Sequence, residues 1–310
     1  MENNRPHTRT GDDTARLCEA SGFPAEGFED RTMPAVRESI LKQSELLRIL
    51  SARSLPGALC PASKADSRKD EPGIIAFRGI REGIGTTTLA SAAAWFLSRH
   101  RPPVLVVDAS SSPLGIGAHF GLPAAESGWN DRVHTEESLP LWEHDSDLFF
   151  LPKGEEGFRK NPGCLSDPSL VESLCALLKR APFSDIVVDT GTDAHSPWLD
   201  RAHCIVTVLS PDANAYARLS RQEARPNECF VLNGRHPGHD SDHDLSALFL
   251  THPALGERLF QKPLPFDELL RQALHQGRPA AEAFPYSASV KAHAGLAAWL
   301  RLMFVREGVR

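Results

Sequence analysis

The sequence predicts an α/β protein with a doubly wound, mostly parallel sheet, preceded by a short α-helical appendage. From residue 73 onward, short and almost continuous apolar segments alternate with helical patterns. This alternation is typical of parallel strands that are covered by helices on both faces. A glycine-rich loop at residues 79–85 joins the first apolar segment to an alanine-rich helical pattern. Sheets of this kind hold ligands beyond the carboxyl ends of their strands, so we expect the functional site there.

Six segments have the apolar composition of buried strands. They are Gly73–Phe77, Val104–Val107, Asp147–Leu151, Asp185–Val188, Cys204–Leu209 and Cys229–Leu232. Between them the periodicity predicts helices at Thr87–Ser98, Ser169–Lys179 and Asn214–Arg221. Two further helical patterns close the domain, at Phe266–His275 and Ser289–Arg306.

The sequence before residue 73 lacks this alternation. Residues 1–13 are polar and are predicted to be disordered. Residues 14–53 predict a segment of two helices, of which the second is amphipathic. Residues 54–72 mix proline, serine and charge without periodicity, as a linker does. The α/β domain is therefore assigned to residues 73–310.

The composition argues against several classes of function. A net charge of −6 gives no electrostatic reason to expect a nucleic-acid partner. No apolar run approaches the roughly 20 residues that span a bilayer, and the N-terminus lacks the apolar core of a secretory signal. The six cysteines are scattered without CxxC spacing and are interpreted as reduced thiols. We therefore expect a cytoplasmic protein.

The glycine-rich loop has the layout of a phosphate-binding loop. Gly79, Gly83 and Gly85 let the backbone approach a phosphate chain, and the following helix adds the positive end of its dipole. Thr87 stands at the hydroxyl position that binds Mg²⁺ in such loops. Thr86 replaces the lysine that normally precedes this hydroxyl. The alternative is an ordinary glycine-rich turn between a strand and a helix.

The domain resembles the MinD/ParA family of deviant P-loop ATPases, whose loop pattern KGGxGKT[ST] aligns without gaps onto residues 81–88. Four other segments carry the likeness: the aspartate-ended strands 104–108 and 185–189, the asparagine-ended strand 231–233, and the stretch that starts at Leu264. In the family they correspond to the switch I strand, the Walker B strand, the strand whose asparagine recognises adenine, and a C-terminal P-x-D stretch. The likeness covers nearly all of residues 73–305.

Within that family the chain resembles the BcsQ-like branch, which is encoded in bacterial cellulose-secretion operons. That branch likewise carries threonine at the P-loop lysine and arginine at the signature lysine, here Thr86 and Arg81. It also shares Trp95 and the Asp-Ala-Asn at residues 212–214. The N-terminal segment is similar to the small companion protein BcsR, so the chain is interpreted as a BcsR–BcsQ-like fusion.

The resemblance implies that ATP and Mg²⁺ are the cofactors. The expected nucleotide-binding residues are Gly79, Glu82, Gly83, Ile84, Gly85, Thr86, Thr87, Thr88, Asn233 and Pro265. The expected magnesium ligands are Thr87, Asp108 and Asp189. The expected catalytic residues are Asp108, Asp189 and Arg81, of which Arg81 would reach the nucleotide of a partner subunit with its bidentate fork.

Three departures from the family pattern bear on hydrolysis. Thr86 carries no charge to stabilise the transition state. Ser110 stands where the family has the aspartate that positions the attacking water, and it is a much poorer base. Glu82 replaces a glycine, and its carboxylate either repels phosphate or turns outward to pair with an arginine. We therefore expect ATP to be bound and to hold a dimer, with slow or absent hydrolysis.

The resemblance further implies a nucleotide-dependent homodimer that acts with cellulose synthase subunits and their cytosolic regulators. The protein would be recruited to the secretion complex at the inner membrane, and it would contact that membrane only through the synthase. Two alternatives stay open: an active ParA/MinD-like ATPase that positions cargo or the secretion machinery, and a scaffold that has lost its nucleotide.

Three lesser features have competing interpretations. His236, His239 and His243 form a metal-binding candidate, but a solvated loop is favoured over a metal site. Asp193 is a candidate nucleotide sensor beside His195, which is assigned to a mobile loop or a dimer surface. The segment Leu296–Arg310 is either a membrane-surface helix or, as favoured, a helix packed on the sheet.

Overall fold

The computed structural model of the chain describes residues 72–134, 139–145, 147–236, 238–252 and 255–306. The predicted disordered start, the BcsR-like helical segment and all but the last residue of the linker lie outside the described residues. The last four residues of the chain lie outside them too.

The described residues contain one sheet of seven strands. Its strands are β1 (Gly73–Gly79), β2 (Val104–Asp108), β3 (Trp142–Asp145), β4 (Leu148–Leu151), β5 (Asp185–Asp189), β6 (Cys204–Leu209) and β7 (Glu228–Leu232). They lie in the order β3-β4-β2-β5-β1-β6-β7. All neighbours are parallel except β3 and β4. The prediction of a mostly parallel α/β sheet is therefore confirmed.

The strands differ from the predicted ones by one additional strand and by one or two residues at the ends of β1, β2, β4, β5 and β7. The edge strand β3 was not predicted, because its sequence, WEHD, is mostly polar and every one of its residues is partly exposed. Short, charged strands are typical of sheet edges, where they discourage pairing with other chains. Strand β7 begins one residue earlier than predicted, at Glu228, because the Glu228 carboxylate is buried against Arg78 at 2.6 Å.

Ten α-helices lie in the described part of the chain. They are α1 (Thr86–Ser98), α2 (Trp129–Arg132), α3 (Glu155–Lys160), α4 (Pro168–Leu178), α5 (Pro197–Arg201), α6 (Ala213–Leu219), α7 (Asp240–Leu250), α8 (Glu268–His275), α9 (Ala280–Ala283) and α10 (Ala288–Arg306). Aspartate side chains cap the first turns of α4, α6 and α8, which explains where these helices begin. Helix α7 was not predicted, because its first turns are highly charged.

Side chains alternate between the two faces of the sheet, so each face has its own hydrophobic layer. One layer includes Ile74 of β1 and Val107 of β2, and it is closed by the fully buried Trp129 and Trp198. The rings of these tryptophans meet edge to face, with centroids 5.9 Å apart. Because Trp129 Nε1 donates a hydrogen bond to the Asp108 carbonyl at 2.8 Å, this layer also fixes the end of β2.

Helices α1 and α10 pack against each other on the domain. Leu296 and Leu300 of α10 are fully buried, as the favoured interpretation of the C-terminal segment predicts. In the described part of the chain, no helix has the length and apolar character that crossing a membrane requires.

Candidate nucleotide-binding site

The loop between β1 and α1 forms a narrow backbone cradle. Gly83 and Gly85 have φ angles of 74° and 86°, in the left-handed region that glycine adopts without strain. A Cβ atom on Gly85 would lie 2.6 Å from Asn233 Nδ2, and one on Gly79 would collide with Thr86 Oγ1. The geometry therefore demands glycine at all three positions that the sequence singled out.

Helix α1 begins at this cradle with an uncapped N-terminus. Its N-cap residue is Gly85, no side chain caps the helix, and its first turn contains no acidic residue. The first amide groups of a helix lack partners inside the helix, and they carry the positive end of its dipole. Such a helix N-terminus is suited to an anion such as phosphate.

A cavity of about 460 Å³ opens beside the cradle. Six of the predicted nucleotide-binding residues line it: Gly83, Ile84, Gly85, Thr88, Asn233 and Pro265. Arg81, predicted as a catalytic residue, lines it too. Ser210 and Phe266, which were not predicted as site residues, also line it, as does His236, which the sequence offered only as a metal-binding candidate. Its volume is within the range of pockets for small ligands, roughly 300–1,000 Å³.

One end of this cavity is lined by the Asn233 side-chain amide and by two stacked aromatic rings. Asn233 Nδ2 donates to the Ile84 carbonyl at 2.7 Å, which ties the end of β7 to the cradle. The rings of His236 and Phe266 are stacked, with centroids 4.2 Å apart, and Phe266 is 42% exposed. A stacked, partly exposed aromatic face beside a cavity is suited to a planar ring.

The predicted magnesium ligands converge at the adjoining strand ends. Asp108 and Asp189 are paired residues on the neighbouring strands β2 and β5. Thr87 Oγ1 donates to Asp189 Oδ2 at 2.7 Å. A hydroxyl in the first turn of a P-loop helix, together with carboxylates at the neighbouring strand ends, forms a donor set that suits Mg²⁺.

Both carboxylates have raised pKa values. Burial raises the pKa of Asp108, although the positive charge of Lys153 opposes the rise. Burial, reinforced by the negative charge of Asp108, raises the pKa of Asp189 to about 6. Two buried carboxylates side by side repel each other, and a divalent cation between them would relieve that repulsion. The donor set therefore fits the metal that the fold implies.

Arg81 is engaged within its own chain. Its Nη2 atom lies 2.7 Å from Asp212 Oδ2, and its Nη1 donates to the Glu82 carbonyl at 3.0 Å. Burial favours a raised pKa at Asp212, but hydrogen bonds from Ser210 and Arg81 outweigh burial and lower that pKa. Asp212 was noted in the sequence as part of a motif but was not assigned to the site.

Two loop residues have side chains that do not line the cavity. Thr86 is buried, and its hydroxyl lies against Gly79. Glu82 is exposed. Of the two alternatives that the sequence offered, repulsion of phosphate or an outward orientation, its exposure agrees with the second.

Ser110 serves as a hydrogen-bond donor to Asp108. Its backbone N–H and its Oγ both donate to Asp108 Oδ1, at 3.1 and 2.9 Å. A hydroxyl used in this way orients the carboxylate and is poorly placed to accept a proton from water.

Sequence reasoning missed one buried cation at the site. Lys153, two residues beyond β4, is 3% exposed, and its Nζ donates to the carbonyls of Ser110 and Ser112. It stands between a proline and a glycine in a polar-looking turn, and nothing in that pattern indicates that the side chain points inward.

The histidine cluster is spread over two different environments. The rings of His236 and His239 are stacked, with centroids 4.9 Å apart, whereas His243 is exposed on α7. Among the described residues, no three His, Cys, Asp or Glu side chains are grouped as a metal site would require. Asp193 accepts hydrogen bonds from Ser166 Oγ and from the His195 N–H, at 2.7 and 2.8 Å.

The parallel sheet, the glycine cradle and the paired strand-end carboxylates are the fold of the MinD/ParA class of P-loop proteins. A ParA family ATPase from Chlorobium tepidum superposes with a TM-score of 0.60 at 18% identity, covering 74% of this chain and 99% of that one. The family model for the cellulose biosynthesis protein BcsQ matches residues 73–300, and the chain therefore belongs to the BcsQ family.

Two further proteins illustrate these relationships. BcsQ of Escherichia coli K12 is 24% identical over 222 residues, which are 67% of this chain and 86% of that protein. The septum site-determining protein MinD from Pyrococcus horikoshii, solved in complex with Mg-ADP, has a TM-score of 0.57 at 19% identity. The alignment covers 74% of this chain and 96% of that one.

Proposed function

We propose that this protein binds ATP with Mg²⁺ and uses the bound nucleotide to hold two copies together, with slow or absent hydrolysis. In this role it would serve as a regulatory or assembly factor for bacterial cellulose synthesis. The observation that carries the proposal is the group formed by Thr87, Asp189 and Asp108 beside the glycine cradle. That arrangement keeps the three side-chain oxygen donors expected for Mg²⁺ even though the P-loop lysine has been lost.

Each part of the nucleotide has a matching part of the site. The cradle at residues 79–85 and the first amides of α1 would hold the phosphates. Thr87, Asp108 and Asp189 would hold Mg²⁺, which neutralises phosphate charge when it is bound. Asn233, Pro265 and the stacked His236–Phe266 rings would surround the base.

The same residues explain why hydrolysis would be slow. Ser110 already donates its proton to Asp108, so no carboxylate at that position activates water. Thr86 is uncharged, so it cannot supply the positive charge that a P-loop lysine places near the phosphates. Losing one transition-state contact of this kind costs roughly 3–4 kcal/mol in barrier height.

Dimerisation would depend on Arg81. In the single chain its guanidinium is paired with Asp212. To serve the nucleotide of a partner subunit it has to leave this ion pair, and both groups are about a third exposed, so the exchange costs little. The dimer would then act on cellulose synthase subunits and their cytosolic regulators, recruited from the cytoplasm to the inner-membrane complex. The BcsR-like segment at residues 14–53 would either brace the dimer or dock it onto the regulatory subunits of the synthase.

Calorimetry and mass measurement together test the proposal. ATP with Mg²⁺ should release heat on binding to the wild type and should double its mass in light scattering. Arg81→Ala should still bind ATP but should stay monomeric. Arg221→Ala, at an exposed arginine outside the cavity, should behave as the wild type does.

Other outcomes identify the two alternatives. No heat at millimolar ATP, with well-folded protein, would establish a scaffold that has lost its nucleotide. A steady-state turnover of roughly 1 per second or faster would establish an active ATPase, since that is the range of ordinary enzymes.

A further inference from the structure

Lys153 is a buried cation that the proposed function has not used. Its side chain is 3% exposed at the carboxyl end of β4. A buried ammonium group is costly unless its protons are satisfied. Here Nζ donates to the Ser110 carbonyl at 2.8 Å and also to the Ser112 carbonyl. Its remaining side faces the ring of Phe158, with Nζ 5.1 Å from the centroid, in a cation–π contact.

Both carbonyls belong to the segment that follows Asp108. That segment encloses the Asp108 carboxylate from two sides. Ser110 donates two hydrogen bonds to Oδ1, and a Cβ on Gly115 would lie 2.5 Å from Oδ2. Lys153 therefore holds the same short stretch of backbone that orients one of the expected magnesium ligands.

The Lys153 charge also attracts the carboxylates of Asp108 and Asp189. Its Nζ is held by carbonyls of the segment that follows β2, and β5 lies between β2 and β1, the strand that leads into the cradle. The cation is thus on the metal side of the site and not on the phosphate side.

We propose that Lys153 is a positioning residue that clamps residues 108–115 and so presents Asp108 to Mg²⁺. The inference rests on the proposed function, because it concerns the same site. According to this inference, the Lys153 ammonium, which follows β4, is a fixed positive charge of the site. It orients the Asp108 carboxylate before Mg²⁺ binds. Outer partners that orient metal ligands commonly change metal affinity by roughly 10- to 100-fold when they are removed.

Calorimetric titration of ATP at a series of Mg²⁺ concentrations tests the inference. In Lys153→Met the half-saturating Mg²⁺ concentration should rise at least tenfold, while ATP binding without Mg²⁺ changes less than twofold. Lys153→Arg keeps a charged donor, and it should recover most of the lost Mg²⁺ dependence. Lys291→Met, at an exposed lysine of α10, should match the wild type.

Hydrogen exchange gives a second readout that needs no nucleotide. In Lys153→Met the amides of residues 109–117 should exchange at least tenfold faster, and those of α1 should keep their rate. If Lys153→Met does not fold, Lys153→Gln replaces it in both measurements. Its amide can still donate a hydrogen bond, which helps the variant to fold. Its lost charge should still raise the half-saturating Mg²⁺ concentration and speed the exchange of residues 109–117.

The outcomes separate the two proposals. A wild type that binds Mg²⁺-ATP, beside a Lys153→Met protein with unchanged Mg²⁺ dependence and unchanged exchange, overturns the role of Lys153 alone. A wild type without Mg²⁺-dependent ATP binding overturns the proposed function, and the role of Lys153 falls with it.

Discussion

Arg81 and Asp212 form an ion pair across 131 positions of the chain, with Nη2 and Oδ2 2.7 Å apart. The same Asp212 caps helix α6, where its Oδ1 accepts a hydrogen bond from the Ala215 N–H at 2.8 Å. One carboxylate thus anchors a helix and holds the arginine that we assign to the partner's nucleotide. The ion pair favours the single chain, whereas bound ATP would favour the dimer.

Asp212→Asn should make dimerisation easier. Asparagine keeps the oxygen that caps α6 but removes the charge that holds Arg81. Because exposed ion pairs contribute roughly 0.2–1 kcal/mol, the ATP concentration at half-maximal dimer should fall by about 1.4- to fivefold. Light scattering during an ATP titration measures this.

Asp200→Asn is a matched control for that variant. It breaks the exposed pair of Asp200 with Arg225, which lies outside the cavity, and it should leave the titration unchanged. If Asp212→Asn dimerised less readily than the wild type, the ion pair with Asp212 would not be what keeps Arg81 from the partner's nucleotide.

Asp189→Asn should stabilise the nucleotide-free protein and abolish its response to Mg²⁺-ATP. The folded-state pKa of Asp189, about 6, is above its ordinary value of 3.8. Protonation of Asp189 therefore stabilises the fold, and this contribution is complete below pH 3.8 and lost as the pH rises through 6. At neutral pH the buried anion costs roughly 1–3 kcal/mol, which asparagine avoids.

Thermal denaturation at neutral pH checks both parts of this prediction. Without ligand, the Tm of Asp189→Asn should exceed that of the wild type by roughly 2–10 °C. With Mg²⁺-ATP, the Tm of the wild type should rise, and that of the variant should stay where it is. A ligand-free Tm below that of the wild type would refute the electrostatic argument.

Gly85→Ala should disrupt the cradle. The left-handed φ of 86° costs an alanine roughly 1–2 kcal/mol, and the new Cβ would push on Asn233 Nδ2, 2.6 Å away. We expect ATP binding to be lost and the free energy of unfolding to fall by that amount. Calorimetry and urea denaturation measure the two effects.

Gly295→Ala provides the opposite case in the same protein. Gly295 lies inside helix α10, where a Cβ would meet only ordinary contact distance, 3.8 Å from Phe260. Alanine should add roughly 0.5–1 kcal/mol to the free energy of unfolding and leave ATP binding unchanged. Equal losses of ATP binding in both variants would mean that the cradle geometry does not matter.

His293 should make the protein sensitive to acid. Burial lowers its pKa from 6.5 to about 4, and neither ring nitrogen has a hydrogen-bond partner among the described residues. A lowered pKa means that the unfolded chain takes up the proton first. The stabilising contribution is therefore complete above pH 6.5 and is lost as the pH falls towards 4, by about 1.4 kcal/mol per pH unit.

His293→Leu should flatten this part of the stability profile. Urea denaturation at several pH values between 4 and 7 measures it, and the difference from the wild type isolates His293 from other titrating groups. His243→Leu replaces an exposed histidine and should keep the slope of the wild type. An unchanged slope in His293→Leu would show that burial does not lower the pKa of His293.

The sequence was sufficient for most of the sheet, because buried parallel strands are continuous apolar runs. The bounds predicted for Cys204–Leu209 are those of β6. Strand β3 and helix α7 were missed, since a partly exposed edge strand and a charged helix carry weak periodicity. Their formation depends on the neighbouring sheet and not on their own composition.

The candidate site shows the same division. Thr87, Asp108 and Asp189 could be predicted because each stands at a fixed place, either in the loop or at the end of a strand. The partners of Arg81 and of the Asp108 segment could not, because Asp212 and Lys153 are far away in sequence. Only the folded sheet brings these partners together. Nothing in the local sequence of Asp212 or Lys153 indicates which way its side chain points.

The edge-to-face pair of Trp129 and Trp198 has an optical consequence. Two indole chromophores with centroids 5.9 Å apart couple electronically, so their relative placement affects the circular dichroism of the tryptophan absorption bands. One indole is hydrogen-bonded to the Asp108 carbonyl, and the other lies in the helix that follows β5. Circular dichroism of the unlabelled protein can therefore report changes in the distance between the segment that follows Asp108 and the segment that follows Asp189.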